Sequence, residues 1–412
     1  MVKNSRVWLP YTQMQNHLPQ LEVESALGSE ITLKDGRVLV DGVASWWSAA
    51  HGYSHPDIIS KIKEQLDNVP HLMLAGFKVD ATYELADRLC KMTDLHSCFF
   101  VDSGSVAVEV AMKIAWKYFT NIGKKDKIKF LSFEDSYHGD TTGAMSLSDL
   151  ENSMHSDLKD VLINNFNAKI PENEEDLDRF EDFLKKNHQQ IAALFIEPIV
   201  RCAGGMKFSD PKIYQQIVKL VKKYDILVIA DECAVGFYRL GEDFAHNICQ
   251  IKPDILLLGK ALTGGIMTLS AALVNEEIYK SFLSDDLGSA LMHGPTFMGN
   301  ALSCSAANAS LDLFEQNDYR KIVKEIEVLS KDKLQDLKGN KHVKDIRIRG
   351  ALAAIETDFT QQDMFELRKK FIAKGVFLRP FSNVIYTMPA LNISQQNYIK
   401  ILDAINEALI ES

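Results

Sequence analysis

Ile226-Leu227-Val228-Ile229-Ala230-Asp231-Glu232 and, one loop and one helix further on, Pro253-Asp254-Ile255-Leu256-Leu257-Leu258-Gly259-Lys260-Ala261-Leu262 are the stretches that decide the fold. Each is a short apolar run of the kind that forms a strand buried on both faces. Each also delivers a charged side chain at its carboxyl end, where open α/β sheets place their ligands. Asp231 and Lys260 stand 29 positions apart, enough for one crossover between neighbouring parallel strands. Working outward, Cys98-Phe99-Phe100-Val101 and residues 128–133, 192–196 and 269–274 read as further strands. Helical spacing follows the first of them, with Val106, Val110 and Ile114 recurring every four residues. This alternation predicts an α/β fold with a mainly parallel central sheet sandwiched by helices, together with a smaller α+β domain.

A chain of 412 residues exceeds what one core usually supports, and the expected division is an N-terminal segment 1–50 packing with the small domain, a large domain 51–310 and a C-terminal small domain 311–412. Hydrophobic residues make up 46% and charged residues 25%, a globular composition. The net charge of -10 and the lack of a dense Lys/Arg stripe argue against a nucleic-acid partner. The start, Met1-Val2-Lys3-Asn4-Ser5-Arg6, lacks an apolar signal core, and no apolar run approaches a membrane span, so the cytoplasm is the expected compartment and no membrane partner is expected. Six cysteines without Cys-x-x-Cys pairs indicate neither a disulfide framework nor a metal site. Residues 153–187 are rich in Asp, Glu, Asn and Lys and predict surface loops and an exposed helix without catalytic groups. A charged helix over 319–337, strands near 343–348 and 376–378, and a final helix capped by Ser394 complete the expected small domain.

Asp231 at a strand end also suits plain loop capping, and Lys260 alone would read as an ordinary lysine reaching solvent. Together they suit a pyridine-ring cofactor: the carboxylate keeps the ring nitrogen protonated, and a desolvated, nucleophilic amine holds an aldehyde. Val101-Asp102-Ser103-Gly104-Ser105-Val106 reads as a strand, a small-residue turn and a helix start whose free N–H groups can cradle a phosphate, or as a simple turn. Tyr137, in Ser136-Tyr137-His138-Gly139-Asp140, can stack on a ring or plug the core; His138 reads more readily as a structural hydrogen-bonder. Cys233, two residues past Asp231, points the same way if the strand persists and would face the other side of the ring. In His293-Gly294-Pro295-Thr296-Phe297, Thr296 can donate to a phosphate or cap the following helix.

In this order the elements resemble the class III aminotransferases, enzymes of fold type I that use pyridoxal 5'-phosphate (PLP). Asp231-Glu232, Gly236-Phe237, Arg239 and Gly241 match that family's Asp-Glu-x-x-Thr-Gly-Phe-Gly-Arg-Thr-Gly loop, and Gly259-Lys260-Ala261-Leu262-x-Gly264-Gly265 matches its lysine segment. Trp8-x-Pro10-Tyr11-Thr12, Ser45-Trp46-Trp47, His51-Gly52-Tyr53, Glu197-Pro198-Ile199-Val200 and Arg379-Pro380-Phe381 extend the likeness over nearly the whole chain, toward the branch that aminates a keto acid in biotin biosynthesis. The resemblance implies PLP as cofactor and small-molecule substrates, a keto acid acceptor and an amino donor that is S-adenosylmethionine or lysine. A GABA- or ornithine-type ω-amino acid aminotransferase is the alternative. It implies catalytic roles for Lys260, Asp231 and Tyr137, phosphate binding by Gly104, Ser105 and Thr296 with Pro295 alongside, and a substrate pocket of Tyr11, Trp46, Gly294, Arg379 and Tyr386. Thr296 would come from the second subunit of a homodimer. Without the resemblance, Trp46-Trp47 would read as core or interface and Arg379 as a surface ion pair. The chain departs from the pattern at Leu9, Arg201-Cys202, Val235, Tyr238 and Leu240, expected near the substrate side.

Overall fold

The structure is a computed structural model, described here for residues 6–15, 17–150 and 154–411. Met1 to Ser5, on which most of the reading of the chain's start rests, lie outside the described residues, as does Ser153. Among the described residues no helix is long and apolar enough to cross a membrane, and no cluster of His, Cys, Asp and Glu is arranged to hold a metal ion.

A seven-stranded sheet dominates, ordered Ser97–Val101, Ser270–Val274, Ile255–Leu258, Leu227–Asp231, Ile191–Ile196, Lys129–Phe133 and Phe166–Ala168. All of its strands run the same way except Ser270–Val274, which pairs antiparallel with both neighbours. Its centre is the pair read from the sequence: Ile229 lies opposite Ile255 and Asp231 opposite Leu257, in parallel register. Side chains of Ile255–Leu258 and Ile191–Ile196 are buried throughout because helices cover both faces, which explains why these strands are continuously apolar rather than alternating. The helix Gly104–Asn121 packs across one face, with Val110 and Ile114 buried. The three-residue edge strand Phe166–Ala168 lies in the stretch expected to be loops and an exposed helix. That helix is Glu174–Asn187, and its N-cap Asn173 accepts a hydrogen bond from Asp176 N.

Two smaller sheets flank this one. Val23–Leu27, Glu30–Leu33 and Val38–Asp41 form antiparallel pairs, and Val38–Asp41 also pairs in parallel with Val376–Phe377 from the far end of the chain. Val343–Arg349, Leu352–Thr357 and Val384–Thr387 make an antiparallel three-stranded sheet. Tyr319–Leu334 packs beside it, and the final helix Gln395–Ile410, whose N-cap Ser394 accepts a hydrogen bond from Asn397 N, packs against that helix and against Val38–Asp41 and Val376–Phe377 of the other small sheet.

Leu256 sits at the middle of the large sheet, fully buried between Ala230 and Leu273. Truncating it to alanine leaves a cavity among side chains that cannot all relax. Leu256→Ala is therefore expected to lower stability by about 2–5 kcal/mol, seen as an earlier midpoint in chemical denaturation; a loss under about 1 kcal/mol would contradict this placement of the core.

Candidate active site

Because the parallel strands share a direction, their carboxyl ends lie along one edge of the sheet, and the segments leaving them enclose one cavity. Ser103, Gly104 and Ser105 arrive from Ser97–Val101, Tyr137 to Gly139 from Lys129–Phe133, Glu197 from Ile191–Ile196, Asp231 and Cys233 from Leu227–Asp231, and Lys260 from Ile255–Leu258. Trp47, Cys202, Ala203 and Ala234 complete the lining. Asp231 and Lys260 thus face the same space. Gly104 begins the helix Gly104–Asn121, so that helix's unbonded N–H groups open at the cavity wall. Gly139 is required by packing: a Cβ there would lie 2.1 Å from Ser105 Oγ, and the residue adopts φ 126°. With that glycine in place, Ser105 Oγ accepts a hydrogen bond from Asp140 N at 3.1 Å, tying the Tyr137 loop to the helix start.

Three buried titratable groups set the electrostatics. Burial alone would push the Asp231 carboxyl up, but His138 Nδ1, 2.9 Å from Oδ2, and the nearby Lys260 charge outweigh it and hold Asp231 below the usual carboxylate range. The converse holds for His138: burial disfavours its charge, yet Asp231 and Glu197 raise its pKa. Its Nε2 has no hydrogen-bond partner among the described residues. Glu197 is pushed up to about 7, chiefly by burial, although Tyr137 N and Cys202 N donate to its two oxygens at 3.0 and 3.2 Å. Cys233 N donates to Asp231 Oδ1 at 3.2 Å.

A second wall stands on strained backbone. Ala44, Ser45, Trp46 and Trp47 all have positive φ (44°, 50°, 55° and 73°), a left-handed turn built without glycine. Such residues cost roughly 1–2 kcal/mol each, so the surroundings must hold them. Asp41 accepts hydrogen bonds from Val43 N at 2.8 Å and Ser45 N at 3.2 Å, and buried Arg239 donates to the carbonyl of Trp47 at 3.3 Å. The turn presents the Trp47 ring to Lys260 Nζ at 5.3 Å and the Trp46 ring to the Arg379 guanidinium at 4.4 Å. Tyr11 packs edge-on against Trp46 with centroids 6.0 Å apart, hydrogen-bonds the Tyr137 hydroxyl at 3.0 Å and donates to Asp140. Tyr386 is buried against Trp47, centroids 6.1 Å apart.

The structure therefore brings together Gly104, Ser105, Tyr137, Asp231 and Lys260 around one cavity, with Tyr11, Trp46, Arg379 and Tyr386 on its tryptophan side. Gly294, Pro295 and Thr296 do not join them: in the single chain they lie outside this lining, with Gly294 and Thr296 exposed. Cys233 lines the cavity although its strand ends at Asp231. Of the departures, Cys202 enters the lining, whereas Val235 and Leu240 are core residues and Tyr238 stacks on Tyr319 at 5.9 Å. None of these three is among the cavity's lining residues, although Val235 directly follows Ala234, which is. Sequence reasoning assigned no role to Glu197 or Trp47; Glu197 obeys the same strand-end rule as Asp231 and could have been found by it. His155, in the stretch expected to hold no catalytic group, stacks on Tyr137 with centroids 6.2 Å apart.

Comparison with known proteins agrees with this geometry. The family model "Aminotransferase class-III" matches residues 11–409. An adenosylmethionine-8-amino-7-oxononanoate aminotransferase of Buchnera aphidicola subsp. Schizaphis graminum is 38% identical over 415 residues, 98% of this chain and 95% of the relative. The crystal structure of an adenosylmethionine-8-amino-7-oxononanoate aminotransferase from Methanocaldococcus jannaschii superimposes with a TM-score of 0.92 at 33% identity, covering 99% of this chain and 97% of that one. An amine transaminase from an uncultivated Pseudomonas species, solved in a PLP-bound form, gives a TM-score of 0.91 at 25% identity with both chains fully covered. The chain belongs to the class III aminotransferases. It is accordingly an aminotransferase with the fold-type I architecture, and its cofactor is pyridoxal 5'-phosphate.

The raised pKa of Glu197 has a consequence for stability. A carboxyl whose folded pKa exceeds its unfolded value of 4.5 holds its proton longer in the folded state, so its contribution is complete below about 4.5 and is lost as pH rises through about 7. His138, also raised, acts in the same direction at higher pH, while Asp231, held low, acts only in acid. Between pH 5 and 8, Glu197→Gln should flatten the decline in stability of the cofactor-free protein by roughly 1–3 kcal/mol, read by denaturation at a series of pH values. An unchanged slope would mean that Glu197 is ionised throughout that range.

Proposed function

We propose that this chain converts 8-amino-7-oxononanoate to 7,8-diaminononanoate, a step of biotin biosynthesis, with S-adenosylmethionine as amino donor. The observation that carries this reading is the meeting of Asp231, Lys260 and the helix start at Gly104 in one cavity beside the Tyr11, Trp46 and Arg379 wall. The full-length likeness to relatives bearing that substrate in their names supports it.

The residues present fit the cofactor. A buried carboxylate kept ionised by His138 suits a protonated ring nitrogen, and its oxygens retain acceptor capacity beyond the bonds from His138 and Cys233 N. Ser105 and Gly104 offer the helix N-terminus to the phosphate. Lys260 would hold the aldehyde, and Tyr137 would lie against the ring. When bound, pyridoxal 5'-phosphate supplies an aldehyde that takes amines covalently and a ring that accepts the electron pair left on the substrate carbon. Asp231, by staying charged, keeps that ring an electron acceptor. Lys260 Nζ would take the proton from the amine-bearing carbon of the donor and would later deliver one to the acceptor carbon. Trp47, Tyr11 and Tyr137 exclude water from that side, and Arg379 pairs with the acceptor's distal carboxylate through its two-pronged geometry.

The proposal includes a cytoplasmic homodimer that shares its sites. All six cysteines are free, as suits a reducing compartment. Met73 (56% exposed) and Phe77 (49%) follow His71, whose ring meets that of Phe297 (57% exposed) at 4.6 Å, and Met292 (76%) precedes Phe297 in the chain. An apolar patch of this kind suits burial against a second copy. In that arrangement Thr296, with Gly294 and Pro295, would serve the neighbouring copy's phosphate and substrate.

Steady-state assays with 8-amino-7-oxononanoate and with 2-oxoglutarate as acceptors, each tested with S-adenosylmethionine and with lysine, examine the proposal. The nonanoate acceptor is expected to win in kcat/KM by about 100-fold or more, and Lys260→Ala to lose roughly 10⁴-fold. Parity between the acceptors would defeat the substrate assignment; turnover with lysine alone would defeat the donor assignment and leave the acceptor standing.

A further inference from the structure

Beside the Lys260 cavity lies a second one of about 640 Å³, within the usual size range of small-molecule sites. Its walls combine apolar groups, among them Leu9, Leu39, Met364 and Phe377, with the two cations Arg368 and Arg379. Arg368 comes from the helix Gln361–Ala373, whose buried stripe is Met364, Leu367 and Phe371. It stands one turn beyond Met364, at the edge of that stripe, where a half-buried side chain reaches the cavity. Arg379 follows the strand Val376–Phe377.

Neither guanidinium has a hydrogen bond or an ion pair among the described residues. Elsewhere the chain does satisfy such groups: Arg88 holds Asp312 and Glu315, Arg320 holds Glu242 and Asp243, and Arg347 holds Asp345 and Glu356. Burial draws Arg368 below its ordinary value, and the Arg379 charge adds to that pull, so the two cations lie close enough to repel. Both remain charged at neutral pH. A half-buried pair of like charges without a counter-ion is unfavourable until an anion joins it. The walls of the two cavities touch: Tyr11 lines this one while its hydroxyl meets Tyr137 of the other, and Arg379 lies over Trp46 of the strained turn.

We propose that Arg368 joins Arg379 in a two-guanidinium clamp for the carboxylate of an aliphatic acid, which makes Arg368 a specificity-determining residue of this enzyme. The identity of the acid as a nine-carbon keto acid rests on the function proposed above; the anion subsite itself rests on the cavity and its two unpaired cations. The apolar walls suit the methylene chain, and the paired forks suit both carboxylate oxygens.

Calorimetric titration of the PLP-loaded enzyme with nonanoate, an acid that cannot react, tests the clamp without turnover. Wild type should bind saturably, and Arg368→Gln should weaken binding about 10-fold or more. Arg368→Lys should recover part of the loss, keeping the charge without the fork. Lys369→Gln, on the same helix but outside the cavity lining, should bind like wild type and so controls for net charge. Nonanamide should bind wild type and Arg368→Gln alike. Equal nonanoate affinity in wild type and Arg368→Gln, no binding by wild type, or a matching loss for nonanamide would each overturn the clamp. Arg368-dependent nonanoate binding in an enzyme that ignores 8-amino-7-oxononanoate would keep the subsite and remove only the proposed function.

Discussion

The site depends on one buried charge. Asp231 is delivered by a central strand to the inner wall of a cavity, where a carboxylate without compensation would take up a proton. His138 and Lys260 supply the compensation, and each reaches the cavity from the carboxyl end of another parallel strand. The direction of the strands is therefore inseparable from the chemistry: were one central strand reversed, a member of the group would leave from the opposite edge of the sheet and the carboxylate would lose its support.

Around this charge the protein accepts local strain. The left-handed turn through Ala44 and Trp47 is unfavourable residue by residue, yet Asp41 ties its start and buried Arg239 its end. Arg239 also donates to the Pro389 carbonyl, linking the turn to the chain just beyond Val384–Thr387, which carries Tyr386. One cation thus couples the tryptophan wall to a strand from the far end of the sequence. The result is a rigid aromatic surface with Lys260 on one side and Arg379 on the other.

Much of this was legible in the sequence because burial on both faces leaves a simple mark. The runs ending in Asp231 and Lys260 are apolar without interruption, and the every-fourth-residue pattern of Val106, Val110 and Ile114 announces the helix over Gly104–Asn121. Phe166–Ala168 was not legible, since three residues at a sheet edge carry too little periodicity, and Leu352–Thr357 was missed beside its more evident partner Val343–Arg349. No local rule would place Ala-Ser-Trp-Trp in a left-handed turn; long-range bonds from Asp41 and Arg239 impose it. Tyr238 and Leu240 lie within the motif loop but turn into an aromatic cluster and the core, which spacing alone does not reveal.

The central claim is that Asp231 and Lys260 grip opposite ends of one pyridine ring. Nitrogen-15 resonance of the protein loaded with ring-labelled pyridoxal 5'-phosphate measures this most directly, because the shift reports whether the ring nitrogen carries a proton. The ring nitrogen of the wild type should stay protonated well into the alkaline range and lose that proton in Asp231→Asn. A ring nitrogen in the wild type that titrates like the free cofactor, or one unaffected by Asp231→Asn, would contradict it.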